Sequence, residues 1–91
     1  MNFAFKQASV DSRMLVVDDE PIIRQRLKEL GESLGFEVTS AANGIEAIRH
    51  FRRVSPDIVV LDLYMPGING LTVMAKLREI QPDCPIILIT G

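Results

Sequence analysis

The chain alternates between short apolar runs and longer stretches with helical spacing. Met14-Leu15-Val16-Val17, Phe36 to Ala41, Ile58-Val59-Val60-Leu61 and Ile86-Ile87-Leu88-Ile89-Thr90 are the runs. Each predicts a strand, weaker and alternating in the second case; the third and fourth read as strands buried inside a sheet. Between them, Ile22, Ile23, Leu27, Leu30 and Leu34 recur at helical spacing among Arg24, Arg26, Lys28 and Glu29. Pro21 suits the first turn of that helix and Gly35 stops it. Asn43-Gly44 opens a second helix with Ile45, Ile48 and Phe51 on its apolar face, and Ser55-Pro56-Asp57 breaks it. Leu71, Met74, Leu77 and Ile80 mark a third helix, ended by Gln81-Pro82.

Strand and helix in strict alternation predict an α/β fold, a doubly wound parallel sheet with helices on both faces. Crossovers are right-handed, so a reversal of direction along the sheet moves the next helix to the opposite face. With strand 2 on one side of strand 1, and strands 3 and 4 on the other, the order is 2-1-3-4. Helix 1 then covers one face and helices 2 and 3 the other. The reversal falls between strands 1 and 3, whose carboxyl ends carry Asp18, Asp19 and Asp62. Open α/β sheets bind ligands at such a point. The bland reading of Asp62 is a cap for the loop that follows, where Pro66, Gly67, Asn69 and Gly70 supply turn chemistry.

Composition narrows the function classes. The 91 residues make one small domain, and 47% hydrophobic with 24% charged residues is a globular balance. A net charge of -2 gives no electrostatic case for direct nucleic-acid binding or for an anionic membrane. No stretch approaches the ~20 apolar residues of a membrane span. Residues 1–12 carry Phe3 and Phe5 but no signal-peptide pattern, and read as a tail ahead of a domain over 13–91. The single cysteine, Cys84, has no sequence-adjacent base, and one thiol suits a reducing, cytoplasmic setting. His50, among Arg49, Arg52 and Arg53, reads as a solvated group favoured by its place near a helix end. That basic cluster reads as a solvated face.

Three converging carboxylates repel one another unless a cation sits among them. Hard carboxylate oxygens suit Mg2+, which also accepts phosphate oxygens. A strand-end carboxylate beside such an ion is a candidate phosphoryl acceptor. Thr90, ending the fourth strand, is placed to hydrogen-bond a group attached to Asp62.

Leu15-Val16-Val17-Asp18-Asp19-Glu20-Pro21, then Asp62 followed by Met65-Pro66-Gly67-Ile68-Asn69-Gly70, then Ile89-Thr90-Gly91, together resemble the receiver domain of two-component response regulators. The resemblance implies a flavodoxin-like fold and a signalling domain in place of an enzyme. It implies that Asp62 is the phosphoacceptor, modified from the phosphohistidine of a sensor kinase or phosphotransfer protein. Asp19 would ligate Mg2+ directly, Asp18 mostly through water, and the Tyr64 backbone carbonyl would complete the protein's share of the shell. Thr90 would be the switch hydroxyl.

The departure from the family lies after Thr90. The family's fifth strand, with its phosphoryl-pairing lysine, and its last two helices have no counterpart here. Lys6, Lys28 and Lys76 lie in the tail or on helices and cannot take that lysine's role. The reading is therefore of a receiver cut after its fourth strand, with any output domain beyond residue 91. The exposed apolar edge of strand 4 is expected to recruit another chain, by dimerisation or swapping. Two other functions fit the composition: a phosphorylation-independent interaction module, and a metal-dependent phosphatase. The second would need a general acid and a substrate cap, and neither is visible.

Overall fold

The computed structural model describes residues 12–90. The expected tail therefore lies outside the described residues, apart from Ser12. Strands and helices alternate as β1 (Arg13–Val17), α1 (Pro21–Ser33), β2 (Glu37–Ala41), α2 (Gly44–Val54), β3 (Ile58–Asp62), α3 (Gly70–Ile80) and β4 (Ile86–Ile89). The sheet is parallel throughout, in the order β2-β1-β3-β4. This is a flavodoxin-like topology. Its register aligns Val17 with Ala41 and Leu61, and Asp62 with Ile89, so the strand ends lie level.

Strand alternation sorts the core into two layers. Leu15, Val17, Val59 and Leu61 face α2 and α3, where they pack with Ala47, Phe51, Met65, Val73, Leu77 and Cys84. Met14, Val16 and Val60 face the opposite way, toward Leu27, Phe36 and Val38. Among the described residues, α1 is the helix that covers that second face, as right-handed crossovers require.

Local signals fix the helix ends. Pro21 opens α1, and its C-terminus closes with the Gly35 N–H on the Glu32 carbonyl and the Phe36 N–H on the Gly31 carbonyl. That hydrogen-bond pair is the Schellman closure. Asn43 caps α2 through the Glu46 N–H, while the Glu46 carboxylate reaches back to the Ala42 N–H. Asn69 caps α3 through the Thr72 N–H.

The helix faces depart from the spacing argument. Of the apolar residues of α1, Ile22, Ile23 and Leu30 are exposed, as is Leu34 at its C-cap, and Leu27 makes the core contact. Ile45 of α2 is exposed, while Ala47 and Phe51 are buried. In α3 the buried stripe is Gly70, Val73 and Leu77; Leu71 and Ile80 point outward and Met74 is half-buried. Small residues decide these faces, because close approach to the sheet needs Gly, Ala and Val on the inner side. Strand β4 takes the edge position that the order 2-1-3-4 predicts: it is as apolar as β3, but among the described residues it pairs with β3 alone, and Ile87 and Leu88 are exposed. Strand β2, on the opposite edge, is polar, and its Glu37 pairs with Arg13 at 3.5 Å.

Two glycines of the β3–α3 loop have different duties. A Cβ on Gly70 would stand 2.5 Å from the Asp62 carbonyl oxygen and 2.6 Å from Leu63 Cα. Both neighbours are backbone and cannot swing away. Gly67 has φ +80 with open space around it. Replacing Gly70 by Ala is expected to cost about 3 kcal/mol through overpacking. The same change at Gly67 is expected to cost only about 1 kcal/mol of left-handed strain. Urea unfolding of the two variants checks the order.

Candidate functional site at the carboxyl end of the sheet

Asp18 follows the last residue of β1, and Asp62 is the last residue of β3. These neighbouring parallel strands end level, so the two side chains emerge side by side. Asp19 joins them from the turn leading into α1. Oxygen atoms of the three carboxylates lie within 4.8 Å of one another. Asp18 and Asp62 are 3% and 8% exposed, and Asp19 is half-buried.

Each buried acid is held by its own turn. Asp18 Oδ1 accepts the Glu20 N–H at 2.9 Å, and Asp62 Oδ1 accepts the Tyr64 N–H at 3.1 Å. Both are Asx-type contacts, two residues forward. The Leu63 N–H donates to the Ile89 carbonyl, and the Gly70 N–H donates to the Leu63 carbonyl, both at 2.9 Å. The end of β3 is thereby tied to β4 and to the start of α3.

A cleft opens over the acids, lined by Asp18, Asp19, Glu20, Ile23, Asp62, Tyr64 and Ile89. Tyr64 is 69% exposed on its rim. Glu20 is the N-cap residue of α1, without a side-chain cap hydrogen bond. Thr90 is the next residue after Ile89 and is exposed.

Burial drives the Asp18 carboxyl above its ordinary value. The Glu20 N–H opposes that rise, the Asp62 and Asp19 carboxylates reinforce it, and Arg24 opposes it weakly. Among the described residues no lysine or arginine forms an ion pair with the three acids. A crowded set of hard oxygen donors with no cation paired to it fits a small divalent cation such as Mg2+.

The chain matches the family described as "Response regulator receiver domain" over residues 14–91. It belongs to that family. The probable transcriptional regulatory protein TcrX of Mycobacterium tuberculosis is 42% identical over 78 residues, which are 86% of this chain and 33% of TcrX. The receiver thus spans about a third of that relative's length. The response regulator TrrA of Thermotoga maritima, solved in complex with Mg2+ and BeF, is 48% identical with a TM-score of 0.82, over 87% of this chain and 69% of TrrA. TrrA solved in complex with the histidine kinase ThkA gives 48% identity and a TM-score of 0.81, over 88% and 69% of the two chains.

The receiver's geometry brings together Asp18, Asp19 and Asp62, the three acids singled out from the sequence, with Tyr64 on the rim. Lys28 and Lys76 lie on α1 and α3, in ion pairs with Glu32 and Glu79. His50 differs from expectation. It is half-buried, and Arg53 lies 2.8 Å from its Nδ1. Burial, then the Arg53 and Arg49 charges, hold its pKa below the ordinary value, so its protonated form is disfavoured despite the helix end. Arg24 was not anticipated: its Nη1 donates to the Asp18 carbonyl at 2.8 Å.

A carboxyl raised above its ordinary value binds more protons folded than unfolded. Stability is therefore lost as pH rises through that window, and the loss persists at neutral pH. Asp18→Asn keeps an oxygen for the Glu20 N–H and removes a charge. In chelator at pH 7 it is expected to gain on the order of 1 kcal/mol, a rise in Tm of about 4–8 °C for a domain this size. Calorimetry with and without Mg2+ checks this, the gain shrinking when Mg2+ is present.

Proposed function

We propose that this receiver domain accepts a phosphoryl group on Asp62 from the phosphohistidine of a sensor kinase or phosphotransfer protein. The observation that carries the reading is a buried strand-end carboxylate within 4.8 Å of two others. The P–N bond to the donor imidazole breaks as a P–O bond to an Asp62 carboxylate oxygen forms, and the imidazole keeps the electron pair and takes up a proton. Asp62 Oδ1 is occupied by the Tyr64 N–H, which leaves the second oxygen for attack. Asp18, Asp19, Asp62 and the Tyr64 backbone carbonyl are the groups assigned to Mg2+. A bound Mg2+ supplies charge neutralisation for the transferring group.

Thr90 is assigned the switch hydroxyl, because Ile89 beside it pairs in register with Asp62. The Leu63 to Ile89 hydrogen bond gives a short mechanical link between the two strand ends. TrrA in complex with ThkA supports a histidine kinase as the partner. TrrA in complex with Mg2+ and BeF supports the ion. The regulator relatives support an output module and a transcriptional role for a longer protein. The open β4 edge, with Ile87 and Leu88 exposed, is the surface for a further strand or a second copy. No described helix is long and apolar enough to cross a membrane, which accords with a cytoplasmic site of action.

The test is intact mass after incubation with Mg2+ and a small phosphodonor. The expected product carries one phosphoryl group, absent from Asp62→Asn and from samples with chelator. An unmodified wild-type mass would favour a module that binds partners without phosphorylation.

A further inference from the structure

The turn between β1 and α1 carries two of the three acids, and its hydrogen bonds converge on Asp18. The Asp18 N–H donates to the Ala41 carbonyl at 3.2 Å, and Asp18 Oδ1 accepts the Glu20 N–H at 2.9 Å. The Asp18 carbonyl accepts Arg24 Nη1 at 2.8 Å. The Arg24 N–H in turn donates to the Glu20 carbonyl at 2.9 Å, the first hydrogen bond of α1. Arg24 thus holds the turn by its backbone at one end and its guanidinium at the other. The peptide it grips is the one joining Asp18 to Asp19. Because that peptide is a rigid plane, fixing its carbonyl fixes the direction in which Asp19 leaves it.

The choice of acceptor is informative. Three carboxylates lie nearby, and a guanidinium forms its strongest contacts with carboxylates. Arg24 instead bonds a carbonyl, and among the described residues no ion pair joins it to an acid. Asp18, Asp19 and Asp62 all line the cleft.

We propose that Arg24 is a positioning residue for the acidic cluster: its guanidinium pins the Asp18–Asp19 peptide so that both carboxylates meet a divalent cation together with Asp62. The inference rests on the reading of the cluster as an Mg2+ site.

The two ideas separate in one experiment on the full chain. Mg2+ is titrated into wild type, Arg24→Met and Arg24→Lys, followed by calorimetry and by Tyr64 fluorescence. Tyr64 is the only tyrosine, the chain has no tryptophan, and the ring stands on the cleft rim. Met keeps the length and packing of the side chain without its donors or charge; Lys keeps a donor and the charge. Positioning predicts Mg2+ affinity about tenfold weaker in Arg24→Met and largely restored in Arg24→Lys. Unchanged affinity in Arg24→Met, even with a lower Tm in chelator, would reduce Arg24 to a structural contact and overturn the proposal. Tighter binding in Arg24→Met would show a repelling charge instead and also overturn it. A wild type that does not bind Mg2+ would remove the metal reading itself, and this inference with it.

Discussion

Carboxylate repulsion at the carboxyl end of the sheet is the constraint that organises this receiver. Two acids are buried and a third half-buried, with oxygens inside 4.8 Å, in a small domain that has little stability to spare. Such an arrangement survives only if the backbone beneath it is strongly determined. Here it is. Val16, Val17, Leu61 and Val59 are nearly or fully inaccessible, and they belong to the two strands that deliver the acids. The hydrophobic layers on both faces hold β1 and β3 in register, and the register sets the distance between the charges. Burial that stabilises the sheet and burial that raises the energy of the Asp18 carboxylate are the same packing seen from two ends.

Holding the acids also requires turns that cannot relax. On the β1 side, the Glu20 N–H and the Arg24 guanidinium brace Asp18. On the β3 side, the Tyr64 N–H braces Asp62, and the loop returns to Leu63 through Gly70. Gly70 is the point where chain tightness is greatest, since no side chain fits between it and the Asp62 carbonyl. The apolar contribution of this loop is Met65, 7% exposed in the layer under α2 and α3. A site residue, a turn and a core residue are thus supplied by adjacent positions of one segment.

The sheet order, the two-faced helix placement and the convergence of Asp18, Asp19 and Asp62 were legible in the sequence. Strand period, strict alternation and crossover handedness are strong constraints, and together they leave few topologies. The helix faces were less legible, because Ile22, Leu30, Ile45 and Leu71 are large and apolar yet lie outside. Hydrophobicity marks which residues can be buried; the inner face is chosen by Gly31, Ala47 and Val73, whose small size lets backbones approach. A Cβ on Gly31 would meet Met14 Sδ and Val38 Cγ2 at 2.8 Å, which shows how closely α1 sits on the sheet. Arg24 was invisible for another reason. A guanidinium bonded to a backbone carbonyl six residues earlier has no compositional signature, and its neighbours Arg26 and Lys28 look the same in sequence. His50 misled because it was read as solvated beside its arginines, whereas partial burial comes first in lowering its pKa and the Arg53 and Arg49 charges add to it.

The two sides of the acidic cluster differ in how firmly they are anchored, and this bears on how a signal would leave the site. Asp18 is held from α1 through the Arg24 guanidinium on its carbonyl, and Leu27 of that helix packs against the core. Asp62 is linked instead to β4 through the Leu63 to Ile89 hydrogen bond and to α3 through Gly70. Charge added at Asp62 would load those two links first. A disturbance at Asp62 is therefore expected to reach β4 and α3 through those two hydrogen bonds.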